Sequence, residues 1–296
     1  MRNYIKYLPI ILAASGLNAE LFATSINLLT TDRIAAIPIT GIAALTTVQL
    51  KALTPTQMAA LSSTQVSSLV SSRVLAFSSS QVAALTSSAL QGIQSKVLTG
   101  LTASAFAGFN AANISGIPTT MLTSTVFSST RVAELTSSAI SGLTTDQVAA
   151  LFSDVVTGGL TSANISGFTS ANISGLTTAA MTLLVSSQLI GLTSGGVAGL
   201  TTAQLAAFAS SDLASGLTTA NVLGLNSTNI SGIATDTFCG LKSSVIAKIP
   251  AVAMPGLSAN QLSQLTSAVF SRLGSANVNG LTTDEIVSMG ANIAVL

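Results

Sequence analysis

The 296-residue chain contains no histidine, no tryptophan and a single cysteine, Cys239. Without an imidazole, none of its many hydroxyls has the usual general base, and its few lysines are scattered, so no nucleophile–base pair can be assembled. One cysteine excludes a disulfide scaffold and a Cys/His zinc site within one chain. Charge is scarce too: 6% of residues are charged, where about 25% is usual. The net charge is +1, and two of the ten basic residues, Arg2 and Lys6, lie in the first few positions. Such a balance cannot neutralise a run of phosphates, so nucleic acid is not an expected partner. Beyond the N-terminal segment, Ser and Thr interrupt every apolar run before it reaches the roughly 18 residues that span a bilayer. No membrane span is therefore expected in the mature chain.

What is present is 48% hydrophobic residues, with Ser, Thr, Gly and Asn making up most of the rest. This is not the low-hydrophobicity, high-charge composition of a disordered chain. An eight-residue unit, close to L-[ST]-[ST]-x-[QN]-[VI]-[AS]-[AG], recurs from Leu21 almost to the C-terminus. It reads LTTDRIAA (29–36), LTPTQMAA (53–60), LSSTQVSS (61–68), LTTDQVAA (143–150), LTSANISG (160–167), FTSANISG (168–175) and LTTAQLAA (200–207). About thirty-three such octads tile the chain.

Within one octad the residue types specify a short helix. With the N-cap at position 2 (Ser or Thr), position 5 becomes N3, and S/T-x-x-Q is a capping box. Position 1 (Leu, Ile or Phe) and position 6 (Val, Ile, Leu, Met or Phe) are then the two sites of a hydrophobic staple. Asn at position 5, as in 160–167, is a shorter and weaker arm. Asp32, Asp146, Asp154, Asp236 and Asp284 all fall at position 4, where a carboxylate favours the helix N-terminal dipole. Pro55 falls at N1, where the missing N–H costs nothing. Pro38, Pro118 and Pro250 take the N-cap place. Gly at position 8 (Gly100, Gly108, Gly116, Gly167, Gly175, Gly199, Gly224, Gly232) is expected to stop each helix in a left-handed conformation.

The predicted fold is therefore all-α, a solenoid of one- to two-turn helices, one per octad. One continuous helix fits badly, because eight residues advance about 800° and would wind positions 1 and 6 around the cylinder. In a continuous strand those positions face opposite sides, although Val, Ile and Thr enrichment keeps a β-solenoid as the alternative. Single turns are unstable alone, so the apolar pair of each octad must be buried against neighbouring repeats. Either two or three octads per superhelical turn fit the pattern. The phase slips by two residues at Thr125-Val126 and by one in 155–160 and 213–217, where Gly159 and Gly216 read as insertions that relax the superhelix.

Three segments are expected. Residues 1–19, with a basic start, the apolar run 8–14 and small residues after it, have the layout of a secretory signal peptide; the alternative is a retained N-terminal cap. Residues 21–288 form the solenoid, and 289–296 (MGANIAVL from Met289) a C-terminal cap or adhesive end. No catalytic, cofactor-binding or metal-ligating residue is predicted, and no cofactor. Asp284-Glu285 is the only adjacent acidic pair and reads as a dipole partner. Sequons occur at Asn113, Asn164, Asn172, Asn226 and Asn229; four of the five are the position-5 residue, so the repeat itself accounts for them.

The recurring L-T-T-x-Q-V-A-A-L phrase, over about 21–288, resembles repeats of large exported bacterial proteins described as adhesin- or hemagglutinin-like. That resemblance implies an extracellular or cell-surface location and carries no catalytic residues. The expected function is a non-enzymatic structural or adhesive protein whose partner is itself, in a fibre or rod, or another surface or protein ligand. Alternatives are a lattice (ice) binder displaying Thr at positions 2 and 3, and a secreted effector that binds a host protein.

Overall fold

The computed structural model describes residues 26–264, 270–273 and 275–289. The expected signal peptide and all of the expected C-terminal cap but Met289 lie outside these. The described residues hold short α-helices and 3-10 turns and no strand. This is the all-α solenoid, and the β-solenoid alternative falls away.

The local reason is the one the octad announces. Where Ser or Thr precedes Gln by three residues the N-cap is extended, as at Thr54 (φ −72°, ψ 158°), and its hydroxyl accepts from the N3 backbone N–H while the Gln side chain accepts from the N-cap N–H. The same reciprocal pair closes at Thr46/Gln49, Ser62/Gln65, Ser78/Gln81, Thr144/Gln147, Thr201/Gln204 and Ser258/Gln261. Pro38, Pro118 and Pro250 stand at the N-cap, and Pro55 opens its helix. Position 1 and position 6 side chains, such as Leu61 and Val66, are buried.

Asn at position 5 changes the helix type. Its arm is one methylene shorter, yet Asn113, Asn164, Asn172, Asn221 and Asn229 still accept the N-cap N–H at 2.7–3.0 Å. The turn tightens to bring the two together, and each of these octads is a 3-10 turn, as in Ile165–Gly167 and Ile230–Gly232. Asn277, inside the α-helix Ser275–Asn279, is the exception.

The chain divides into two compact units, Met1–Leu143 and Thr144–Leu296, and each is layered in the same way. In the first unit Thr31–Ala35, Pro55–Ala59, Ser79–Ala84 and Ala103–Phe106 pack in succession, one on the next. Ile39–Ala44, Ser63–Ser67 and Ser87–Leu90 form a second column, and Thr47–Ala52, Ser71–Val74 and Ser95–Gly100 a third. In the second unit Ser186–Leu189, Ser210–Gly216, Thr235–Cys239, Ala259–Ser263 and Thr283–Ser288 make one such column. Neighbours in a column are three octads apart, so a layer contains three octads rather than two.

The glycines at position 8 have another role than the expected one. None of Gly100, Gly108, Gly116, Gly175, Gly199, Gly224 and Gly232 has a left-handed φ, and Gly142 and Gly199 cap their helices at φ −88° and −89°. What they permit is contact between layers. A Cβ on Gly92 would stand 1.9 Å from the Ser63 carbonyl oxygen, and one on Gly116 would stand 1.9 Å from that of Ser87. Helix backbones touch where a side chain would hold them apart.

The one-residue slips are absorbed by the helices. Ser210–Gly216 is lengthened to seven residues, and after Ser153–Gly158 the chain closes with a wide bond from Leu160 N–H to the Val155 carbonyl, 2.9 Å. The carbonyls of Gly159 and Gly216 accept from Asn164 and Asn221, at 2.9 and 3.0 Å. In this way the shorter Asn arm that follows each insertion meets the extra residue.

Candidate functional surface

The position-5 side chain does more than cap. The Gln57 Nε2 amide donates to the Ile26 and Leu29 carbonyls at 2.8 and 2.7 Å, across 31 and 28 residues. Gln65 does the same to Ile34 and Ile37, and Gln81 to Leu50 and Leu53. In the second unit Gln188 reaches Val156 and Leu160, Gln204 reaches Ile173 and Leu176, and Gln261 reaches Ile230 and Ile233. Each Gln thus pins the corner that leads into the helix directly beneath it. Its oxygen serves its own layer and its nitrogen the layer before. These amides are buried, as they must be to replace water at carbonyls turned into the stack.

Where Gln is replaced, the substitute shows what the position demands. Arg73 donates to the Ala43 and Leu45 carbonyls, and Arg131 to those of Leu98, Thr99 and Leu101. The Arg131 guanidinium lies 5.3 Å from the centre of the Phe106 ring, within an edge-packed group with Phe109 and Phe127. Burial pulls its pKa below the ordinary arginine value. Glu285 keeps the cap, its Oε2 accepting from Thr282 N–H at 2.6 Å, but its buried Oε1 has no hydrogen-bond partner. Thr237 is too short to reach a corner, and its buried hydroxyl is likewise unpaired. The sequence pattern gives position 5 only its capping half; its bonds to the previous layer were missed, although the tolerance for Arg, a pure donor, is a signal of them.

The outer surface is built from positions 3, 4 and 7, mostly Ser, Thr and Ala. Many hydroxyls there are already engaged. Thr56, Thr64 and Ser80 pair with the capping hydroxyls of Thr54, Ser62 and Ser78 at 2.9–3.0 Å. Thr145 and Thr202 reach the Ala171 and Thr228 carbonyls in the next layer, at 3.1 and 2.8 Å. Exposed apolar residues such as Leu75, Ile190, Leu223 and Val252 are distributed over separate octads.

Asp32, Asp146, Asp154, Asp236 and Asp284 all lie in first helical turns, as their spacing predicts. Asp284 and Glu285 diverge: the first is exposed, the second buried under its own cap. Among the described residues no group of three or more His, Cys, Asp or Glu could hold a metal ion. Cys239 is half-buried, its thiol 3.5 Å from the Gln264 carbonyl; burial and then the Asp236 charge push its pKa up, which disfavours the reactive thiolate. Among the described residues no helix is long and apolar enough to cross a membrane. Comparison with protein-family models, with curated proteins and with solved structures finds no match to this chain.

Proposed function

We propose that this chain is a non-enzymatic structural or adhesive protein of the cell surface or extracellular space that associates with further copies of itself. The observation that carries the reading is the polarity of the layer interface. Each layer donates amide hydrogens from position 5 toward the preceding layer and offers corner carbonyls to the following one. A repeat protein whose every internal contact is heterologous in this sense has the chemistry for head-to-tail addition. A surface with 6% charged residues does little to oppose association. Export rests on the N-terminal layout, and adhesion on the resemblance of the L-T-T-x-Q-V-A-A-L phrase.

Negative-stain electron microscopy and sedimentation velocity across a concentration series test this. Rods or fibres that lengthen with concentration are expected; a strictly monomeric particle at high concentration, with no surface bound, overturns the reading. The lattice-binding alternative is not carried further, because position-2 hydroxyls such as those of Thr46 and Thr54 are engaged as caps and the position-3 hydroxyls of Thr145 and Thr202 donate to the next layer.

A further inference from the structure

The few charges of this chain are segregated. Unit Met1–Leu143 contains seven basic and three acidic residues, and unit Thr144–Leu296 three basic and six acidic. From residue 33 to residue 133 there is no acid, and from 132 to 241 no base.

The three-octad layer gathers these charges onto single faces. In the first unit Thr47–Ala52, Ser71–Val74 and Ser95–Gly100 are successive members of one column, and they carry Lys51, Arg73 and Lys96. Lys51 and Lys96 are exposed, and Arg73 is half-buried between their layers. No acid lies in this column's octads, 45–52, 69–76 and 93–100. In the second unit the column of Ser210–Gly216, Thr235–Cys239, Ala259–Ser263 and Thr283–Ser288 carries Asp212, Asp236, Asn260 and Asp284. Asp236, Asn260 and Asp284 stand 24 residues apart at octad position 4, and Asp212 stands at position 5 of its octad, three residues after the N-cap Ala209. Asp236 and Asp284 are exposed; Asp212 is half-exposed and accepts from the Ser186 N–H at 2.8 Å. No base lies in this column's octads, and Lys242 and Lys248 belong to octad 241–248, in another column.

We propose that the basic face carrying Lys51, Arg73 and Lys96 of one copy docks against the acidic face carrying Asp212, Asp236 and Asp284 of a second copy. On each face the two exposed charges, Lys51 and Lys96 on the one and Asp236 and Asp284 on the other, belong to octads two layers apart in one column. A second copy of this chain therefore matches the spacing as well as the sign, which an unrelated acidic partner would do only by coincidence. The contact joins unlike surfaces, so it leaves a free acidic face on one copy and a free basic face on the other, and addition can continue. Such charges set register and encounter rate more than bulk affinity. The inference rests on the self-association reading and specifies its contact.

The test uses the full chain as wild type, as Lys51→Glu/Lys96→Glu, as Asp236→Lys/Asp284→Lys, and as an equimolar mixture of the two variants. Circular dichroism establishes that each variant keeps its helix content, and sedimentation velocity is read at about 10 mM and about 1 M salt, where the Debye length is about 30 and 3 Å. The wild type should associate more strongly at low salt than at high salt. Each variant alone, facing like charge with like, should associate about tenfold more weakly or not at all. The mixture should associate again, because each variant supplies the face the other needs. Association that ignores both the substitutions and the salt overturns the docking faces but leaves self-association standing. No association of the wild type under any condition overturns both.

Discussion

At the scale of single residues, one amide side chain holds this fold together in two directions. Gln81 accepts from the Ser78 N–H and donates to the Leu50 and Leu53 carbonyls, all at 3.0 Å or less. Removing it leaves several backbone groups without partners where water has poor access. Gln81→Ala should cost about 2–4 kcal/mol, measured by urea denaturation; a loss no larger than that of an exposed Ser→Ala control would show that the corner pin adds nothing. Glu285 offers the converse. By the 24-residue register its unpaired Oε1 occupies the place of a donor. Glu285→Gln should stabilise by about 1–3 kcal/mol, seen as a raised Tm, and an unchanged or lowered Tm would contradict that register. The capping half of this position is legible in the sequence because Thr46 and Gln49, or Ser62 and Gln65, are three residues apart and the rule is local. The other half is not legible, because the target carbonyls lie 28–31 residues away. That distance depends on how many octads make a layer, which propensity and patterning leave open.

At the scale of the element, the octad sets helix starts more strictly than helix type. Ser or Thr at position 2 with Gln at position 5 gives an α-turn, whereas Asn164 or Asn229 in the same place gives a 3-10 turn. The sequence marks Asn as a weaker arm; that it shortens the helix follows only from the geometry its oxygen must satisfy. Glycine was the larger surprise. Position 8 reads as a left-handed stop, yet the helices end with ordinary right-handed dihedrals and the glycine serves the neighbouring layer. Two glycines separate these roles. Gly92→Ala drives a methyl into the Ser63 carbonyl at 1.9 Å and should destabilise by about 3 kcal/mol or more. Gly195, exposed within Ser194–Ala198, has nothing nearer than the Thr193 hydroxyl at 3.6 Å. Gly195→Ala should stabilise by about 0.5–1 kcal/mol through helix propensity alone. Thermal melts of the two variants side by side check the contrast; equal effects would mean that backbone contact between layers is not what position 8 provides.

At the scale of the molecule, the fold class was legible because two independent devices, the capping box and the apolar pair at positions 1 and 6, recur in phase. The layer was not, since an octad knows its own ends but not which octad lies beneath it. Deletions exploit that difference. Removing residues 61–84, three octads, returns every later helix of the first unit to its own column, and the chain should keep its helical circular dichroism with a modest fall in Tm. Removing only 77–84 moves each later helix onto a foreign column. It sets glycines such as Gly108 and Gly116 over partners that were not shaped for them, and should lower Tm further than the longer deletion does. A smaller loss for the one-octad deletion would dismiss the three-octad layer. The same layering bears on how the chain can be made. Asn113, Asn164, Asn172 and Asn229 sit in sequons, yet all four are sealed inside the stack. An oligosaccharide joined to any of them during synthesis would occupy the very nitrogen that the corner requires. A cell that decorates such tripeptides as the polypeptide emerges would therefore yield a product unable to close its coils, whereas a host without that machinery, or sequon-free Ser/Thr→Ala substitutions, would allow it to mature.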